Sequence, residues 1–334
     1  MTALTIGVVG AGDIARRAHL PVLAHLPDVR VTWIADSRLE RARTLGDAYG
    51  IAAVKAAGPA DLPACDVALL AIPVDARTPY LEHFAALGTA VFCEKPFALS
   101  AVEHARLVDL FQPHALACGY MRRYFRWAVL LRRLVADRPL GPLRSIEIGE
   151  GGRSKGSGSD ASFLDDPRLG ASRGVLADLG SHGIDLAVHL SDARSFSVES
   201  CVRTLDGAVD RQVTADILLG TESQPQNGVE LRFCVSWLER QTNQIRLRFD
   251  HALVWSELGV SGTVYMGDPG DPRTCIALNG PDRGATTYNQ AFYLEWQAFI
   301  AGLLARRESS ISARSALLTT SIVESLLNTG VAAR

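Results

Sequence analysis

Thr5-Ile6-Gly7-Val8-Val9-Gly10-Ala11-Gly12-Asp13-Ile14-Ala15 decides the fold of this chain. A short apolar run ends in a glycine turn, and residues 14–26 then carry apolar side chains at helical spacing. Within a strand, a turn and a helix, the G-x-G-x-x-A pattern reads as a dinucleotide-binding turn. Gly10 permits the tight turn, Gly12 lets the backbone approach a pyrophosphate, and Ala15 allows close packing of helix on strand. The amides that open the helix, at Asp13 and Ile14, face the phosphates and are aided by the helix dipole. A second β-rich run, residues 29–35, is followed by Asp36, 24 residues after Gly12. A carboxylate at that place accepts from both ribose hydroxyls and favours NAD. Ser37 and Arg38 complete this candidate cofactor loop. Arg38 and Arg41 are either a solvated helix face or holders of a 2′-phosphate, so NADP stays open.

The alternation continues outward. Apolar runs recur at residues 67–72, 90–93 and 115–118, with helical stretches at 39–49, 79–87 and 101–111 between them. Strands alternating with helices imply a doubly wound parallel sheet covered on both faces, an α/β domain over residues 1–119. After residue 120 the pattern changes. A helix (127–137), Pro139-Leu140-Gly141-Pro142 and a strand (143–148) precede a glycine- and serine-rich stretch, residues 151–160, expected as a loop. A helix over 175–190 then leads to strands expected at 196–203, 213–219, 229–238, 244–249, 253–257 and 263–266. Alternation such as Val229, Leu231, Phe233, Val235 and Trp237 predicts a large, mainly antiparallel open sheet with one face against helices. Residues 120–334 thus read as a second, α+β domain for substrate binding and oligomerisation, closed by helices at 288–306 and 313–327, the last of them able to pack back on the first domain. Phe292, Tyr293, Trp296 and Phe299 recur at helical spacing and read as core or interface rather than as a ligand platform.

The bulk numbers narrow the function. The chain has 334 residues, 48% hydrophobic, a formal net charge of -2 and a pI near 6.5. That balance leaves no strong basic face for nucleic acid or anionic lipid. No apolar run approaches the roughly 20 residues of a membrane span, and the N-terminus has no basic leader, so a cytoplasmic protein is expected. Six scattered cysteines without Cys-x-x-Cys or zinc-finger histidines read as reduced, mostly buried residues, with no metal site.

Two clusters carry chemistry. Val91-Phe92-Cys93-Glu94-Lys95-Pro96 places a lysine directly after an apolar strand. Of 34 basic residues only three are lysines, Lys55, Lys95 and Lys155, so a lysine here suggests a task that arginine cannot perform. Arginine stays protonated in proteins, whereas a partly buried lysine can share a proton with a substrate hydroxyl. In the second cluster, Asp178 and His182 lie at i and i+4 of the helix beginning near Val175, on one face. An imidazole takes a hydroxyl proton at neutral pH while a carboxylate one turn away orients it or binds substrate.

The glycine turn, Glu94-Lys95-Pro96 and Asp178-x-x-x-His182, in this order and spacing, resemble the Gfo/Idh/MocA oxidoreductase family. The resemblance covers nearly the whole chain: Ala18-His19-Leu20-Pro21, Ala71-Ile72-Pro73, Gly119-Tyr120-Met121-Arg122-Arg123-Tyr124 and the closing helices also fit. It implies a Rossmann domain followed by an α/β domain on a large open sheet that in the family often mediates dimers or tetramers. It further implies that Lys95 and His182 flank the reacting carbon with Asp178 beside them, and that Pro96 follows a peptide bond often found cis. Ala71, Ile72, Pro73 and Glu94 join the candidate cofactor contacts. Lys95, Tyr120, Arg122, Asp178 and His182 form the candidate substrate set; Arg123 and the loop around Arg153 and Lys155 either line the same pocket or are surface or interface packing, which is the preferred reading for the loop. One departure stands out: many members have a histidine four or five residues after the proline matching Pro73, where this chain has Arg77 and Thr78.

The expected function is NAD(P)-dependent hydride transfer at a secondary alcohol or ketone of a sugar, amino sugar or cyclitol, with Lys95 and His182 as acid-base pair. Two alternatives are open: a redox-elimination glycosidase that returns the hydride, and a non-catalytic NAD-binding sensor. From Glu150 to Arg173, four acids (Glu150, Asp160, Asp165, Asp166) offset four bases (Arg153, Lys155, Arg168, Arg173), which leaves substrate charge unread.

Overall fold

The computed structural model describes residues 3–153, 174–222, 224–268, 271–279, 283–329 and 331–333. The stretch expected as a loop lies outside the described residues from residue 154 onward, and with it Lys155, Asp160, Asp165, Asp166, Arg168 and Arg173. The chain divides into two compact units: Met1–Tyr120 with Tyr288–Leu317, and Met121–Thr287 with Leu318–Arg334.

In the first unit, β1 (Leu4–Val9), β2 (Val29–Asp36), β3 (Ala52–Lys55), β4 (Val67–Leu70), β5 (Ala90–Glu94) and β6 (Leu116–Gly119) form one sheet in the order β3-β2-β1-β4-β5-β6. Every adjacent pair is parallel. β4 and β5 are buried at every position, as strands covered on both faces must be. β3, which sequence reading passes over, is a four-residue edge strand whose alanines carry little β propensity. Helices Leu39–Tyr49, Thr78–Leu87 and Ala101–Val108 supply crossovers, the first two ending on glycines (Gly50, Gly88) in the left-handed region.

The helix after the glycine turn is less regular than its periodicity suggests. It passes through a π-helical turn, Ala15–His19, before the α-helical segment Leu20–Leu23. Helix Tyr288–Leu304 belongs to this unit and buries Phe292, Trp296 and Phe299, with Trp296 stacked on Phe92 at 4.3 Å between ring centroids. Three of the four aromatics are core, and Tyr293 is half-buried.

The second unit is built on a sheet of order β14-β13-β12-β11-β7-β10-β9-β8-β15 among the described residues. Its strands are β7 (Leu143–Gly151), β8 (Ala193–Asp206), β9 (Val209–Thr221), β10 (Gln224–Ser236), β11 (Gln244–Phe249), β12 (Leu253–Glu257), β13 (Val264–Met266), β14 (Ile276–Leu278) and β15 (Val331–Ala333). Neighbours are antiparallel except β7 with β10 and β8 with β15. Along β10, Val229, Leu231, Phe233 and Val235 are buried while Glu230 and Arg232 are exposed, so one face is covered and the other is polar. Helices Arg126–Asp137 and Ser181–Ser191 belong to this unit. All six cysteines are free, and only Cys93 and Cys118 are buried, fewer than expected. Among the described residues no helix is long and apolar enough to cross a membrane.

Core histidines couple this fold to pH. His104 is fully buried against Phe97, and its Nε2 hydrogen bonds to the Ala313 carbonyl at 2.9 Å. Burial pushes its pKa from 6.5 down to about 4, with the Ala313 bond opposing. The folded chain therefore keeps His104 neutral where the unfolded chain already takes up a proton. This contribution is whole above about pH 6.5 and is lost as pH falls from 6.5 towards 4. His189, lowered to about 3 by burial and then by Arg123 and Arg132, acts in the same sense. Urea denaturation across this range is expected to show a fall in stability that His104→Gln reduces by up to about 3 kcal/mol. An unchanged slope in the variant would assign the fall to other groups.

Candidate active site

The carboxyl ends of β1, β4 and β5 lie on one edge of the first sheet because the three are adjacent and parallel. The chain reverses its order of strands between β1 and β4, the switch point at which open α/β sheets bind ligands. Gly10 leaves β1 at φ 104°, and a Cβ there would stand 2.3 Å from the Ala71 carbonyl oxygen. Only glycine fits that contact. At Gly12 a Cβ would meet nothing within 4 Å, which leaves the backbone open to close approach. Asp36, at the end of β2, accepts the Ala11 amide at 2.9 Å through Oδ2 and the Arg38 amide at 2.8 Å through Oδ1. The carboxylate thereby locks the glycine turn to its own loop. Asp13 pairs with Arg16 and Arg17 on the helix face, while Ser37 and Arg38 are exposed. A dinucleotide fits these residues: a glycine forced by geometry, a second facing open space, and a carboxylate at the ribose position.

Beyond β4, Ala71, Ile72 and Pro73 form a half-buried exit, and the Ala71 amide donates to Val9 O at 2.9 Å. Beyond β5, Lys95 is half-buried and is joined to Pro96 by a cis peptide bond. Glu94 is buried. Trp296 Nε1–H donates to His19 Nδ1 at 2.9 Å, which leaves the hydrogen on His19 Nε2 to donate to Glu94 Oε1 at 2.8 Å. The second Glu94 oxygen accepts the Lys95 amide at 3.1 Å. Burial raises the Glu94 carboxyl, but the His19 bond and the positive charges of Lys95 and Arg77 outweigh it and hold it below its ordinary value. Glu94 is thus tied to the core and to the Lys95 backbone. Arg77 was marked in the sequence only as a departure. Its buried guanidinium donates to the carbonyls of Ile72 (2.8 Å), Glu94 and Pro96, and Nη2 lies 3.5 Å from Lys95 O. No sequence motif points to that clamp.

In the second unit, Asp178 and His182 sit on consecutive helical segments, a π-helical turn (Leu176–Gly180) and the helix Ser181–Ser191. Asp178 is exposed and His182 is 8% exposed. The expected regular helix is therefore widened by one turn where the acid lies. Three contacts set this segment in place. Asp210, fully buried on β9, accepts the Leu176 amide at 2.8 Å, and burial raises its carboxyl above the ordinary value. Gly183 lies so close to the sheet that a Cβ would stand 2.9 Å from the Phe233 ring. Asp185, one turn after His182, takes a two-pronged pair from buried Arg123, 2.9 Å from Nε and 2.5 Å from Nη2. Arg123 was expected beside the substrate set; its guanidinium holds the helix instead.

The remaining candidates are placed as follows. Tyr120 is 1% exposed in the core of the first unit. Arg122 makes a two-pronged pair with Glu150, 2.7 Å at both contacts. Among the described residues no cluster of three His, Cys, Asp or Glu side chains is arranged to hold a metal.

Comparison with known proteins agrees with this architecture. Residues 4–120 match the family described as an oxidoreductase family with an NAD-binding Rossmann fold, and residues 129–252 match the GFO/IDH/MocA C-terminal domain. A dTDP-3,4-didehydro-2,6-dideoxy-alpha-D-glucose 3-reductase of Streptomyces violaceoruber is 26% identical over 84% of this chain and 78% of its own. A glucose-6-phosphate 3-dehydrogenase of Bacillus subtilis is 27% identical over 69% and 67%. A 3-ketoreductase from Actinomadura kijaniata, solved with NADP and TDP-benzene, superposes with a TM-score of 0.81 over 98% of both chains at 19% identity, which speaks to fold alone. With both of its regions matched and the fold shared, the chain belongs to the Gfo/Idh/MocA family of NAD-binding oxidoreductases.

Proposed function

We propose that this chain transfers a hydride between NAD(P) and a secondary alcohol or ketone of a sugar, amino sugar or cyclitol, with Lys95 and His182 as the acid-base pair. The observation that carries the reading is the set of strand exits: the glycine turn after β1, Pro73 after β4 and Lys95 after β5 share one edge of one parallel sheet. At about 4.8 Å per strand, Lys95 is roughly 10 Å from the turn that would hold the pyrophosphate. The first unit is the proposed cofactor domain and the second the proposed substrate domain. The relatives support the substrate class, since they are named for work on sugars at position 3 or on inositol.

Gly10, Gly12 and the amides of Asp13 and Ile14 would hold the pyrophosphate, Asp36 the ribose, and the exits at Ile72, Pro73 and Glu94 would border the ring. When bound, the nicotinamide supplies the hydride acceptor or donor. His182 removes the hydroxyl proton as the carbinol becomes a carbonyl, and Lys95 donates a hydrogen bond to the oxygen as negative charge grows on it. Asp178 orients the imidazole or the substrate. The open polar face of the second sheet, with Arg144, Glu147, Glu230, Arg232 and Arg248 in alternating charge, is the surface on which a second copy would pair.

Two tests follow. Gly12→Val is expected to fold with near-native thermal stability yet to lose NAD binding at least about tenfold, whereas Gly10→Ala is expected to destabilise the protein by more than about 1 kcal/mol. Calorimetry and NAD titration separate the two, and equal behaviour of the variants would remove the turn from the binding site. For catalysis, NADH formation is followed against inositols, hexoses, amino sugars and nucleotide sugars. Lys95→Ala and His182→Ala should each lower kcat by about a hundredfold or more with NAD affinity retained. Turnover at the wild-type rate in both would sink the assignment. Glycoside cleavage without NADH release would favour redox elimination, and silence with tight NAD binding a sensor.

A further inference from the structure

We propose that Arg77 is the positioning residue for Lys95, a role that rests on the acid-base reading above. Arg77 is 4% exposed, and its guanidinium donates to main-chain carbonyls on two strand exits, with the Cys93 side chain beside it. One planar guanidinium reaches two strand exits at once, Ile72 after β4 and the three consecutive residues Glu94, Lys95 and Pro96 at the end of β5 and just beyond it. Five N–H groups in a rigid fork permit this, whereas a lysine presents its donors from a single point and a histidine offers one donor from each ring nitrogen. The peptide that carries Lys95 is therefore gripped on its carbonyl side by Arg77. On its amide side it is held by Glu94 Oε2, while Oε1 of the same carboxylate accepts from His19, which Trp296 holds in turn. Arg77 does not need to touch substrate or cofactor. It fixes the backbone from which Lys95 projects.

A bulk structural role would make a different prediction. If Arg77 served only to hold the unit together, its loss would lower the melting temperature while folded molecules kept native kcat. As a positioning residue, it should act on turnover through Lys95 alone. Arg77→Lys, which keeps the charge and loses the fork, is the first variant; Arg77→Gln is the second should the lysine variant fold poorly. Both are placed in a cycle with Lys95→Ala.

The expected result is a fall in kcat of about tenfold or more in the single variant, with KM and Kd for NAD within about twofold of wild type. In the Lys95→Ala background the same substitution should cost nothing further. Independent losses that multiply would overturn the proposal, as would native kcat in the single variant. Wild-type turnover of Lys95→Ala itself would instead remove the acid-base reading on which it rests. A second readout needs no turnover: with only three lysines in the chain, carbon-13 reductive methylation gives a separable signal for Lys95. In NAD-free protein that signal should move or broaden when Arg77 is replaced while those of Lys55 and Lys155 stay. An unmoved Lys95 signal would overturn the proposal.

Discussion

Parallel strands cannot be joined by hairpins, and this constraint shapes the first unit. Each crossover must leave at the carboxyl edge and return at the other, so every strand exit of the six-stranded sheet collects on one side. Gly10, Asp36, Pro73 and Lys95 are 85 residues apart from first to last in the chain, yet topology alone assembles them along one edge. Local chemistry then refines each exit. Contact with Ala71 O fixes Gly10, and the Asp36 carboxylate fixes the turn that follows it.

The exit of β5 is held by polar groups in an apolar core, and the energetics are close to balanced. Removing a guanidinium from water costs several kcal/mol even after relaxation, while hydrogen bonds to a charged group return about 1.5–3 kcal/mol each. Arg77 makes three close bonds to carbonyls, so its net effect on stability is small compared with either term. The same holds for Glu94, whose burial penalty is offset by His19 and nearby positive charge. What these groups contribute beyond near-cancelling energies is definition: the Lys95 peptide has one conformation in which all of its neighbours are satisfied.

The legibility of the sequence followed the range of the interactions. Period-two and period-3.6 apolar patterns are local, so the parallel sheet, the long strands of the second sheet and the closing helices could be read directly, and so could the dinucleotide turn, whose residues are contiguous. The edge strand Ala52–Lys55 escaped because alanine leaves no β signal, and the three-residue strands Ile276–Leu278 and Val331–Ala333 escaped as well. The grip of Arg77 on residues 94–96 and the chain from Trp296 through His19 to Glu94 join segments 17 to 277 residues apart, and no spacing rule announces them. Arg123 illustrates the same limit. Its charge and place near the domain junction suggested a substrate contact, but its partner, Asp185, lies 62 residues away and becomes visible only in three dimensions.

The helix bearing His182 is held by the same kind of contact as the Lys95 backbone. A histidine in a regular amphipathic helix is free to turn with the helix about its axis, and nothing in the residues Asp178 and His182 prevents that. Gly183 limits the freedom from one side by bringing the backbone onto Phe233, where an added Cβ would have to displace the ring. Asp210 removes it from the start of the segment by holding the Leu176 amide, and the Arg123–Asp185 pair removes it one turn beyond the imidazole. Axial slide, rotation and lift are each opposed by a separate contact, two of them made through buried carboxyl side chains. Both proposed acid-base side chains thus follow the same physical pattern: each projects from backbone that buried polar groups outside the reacting set hold rigid, so that little reorganisation is needed when charge develops.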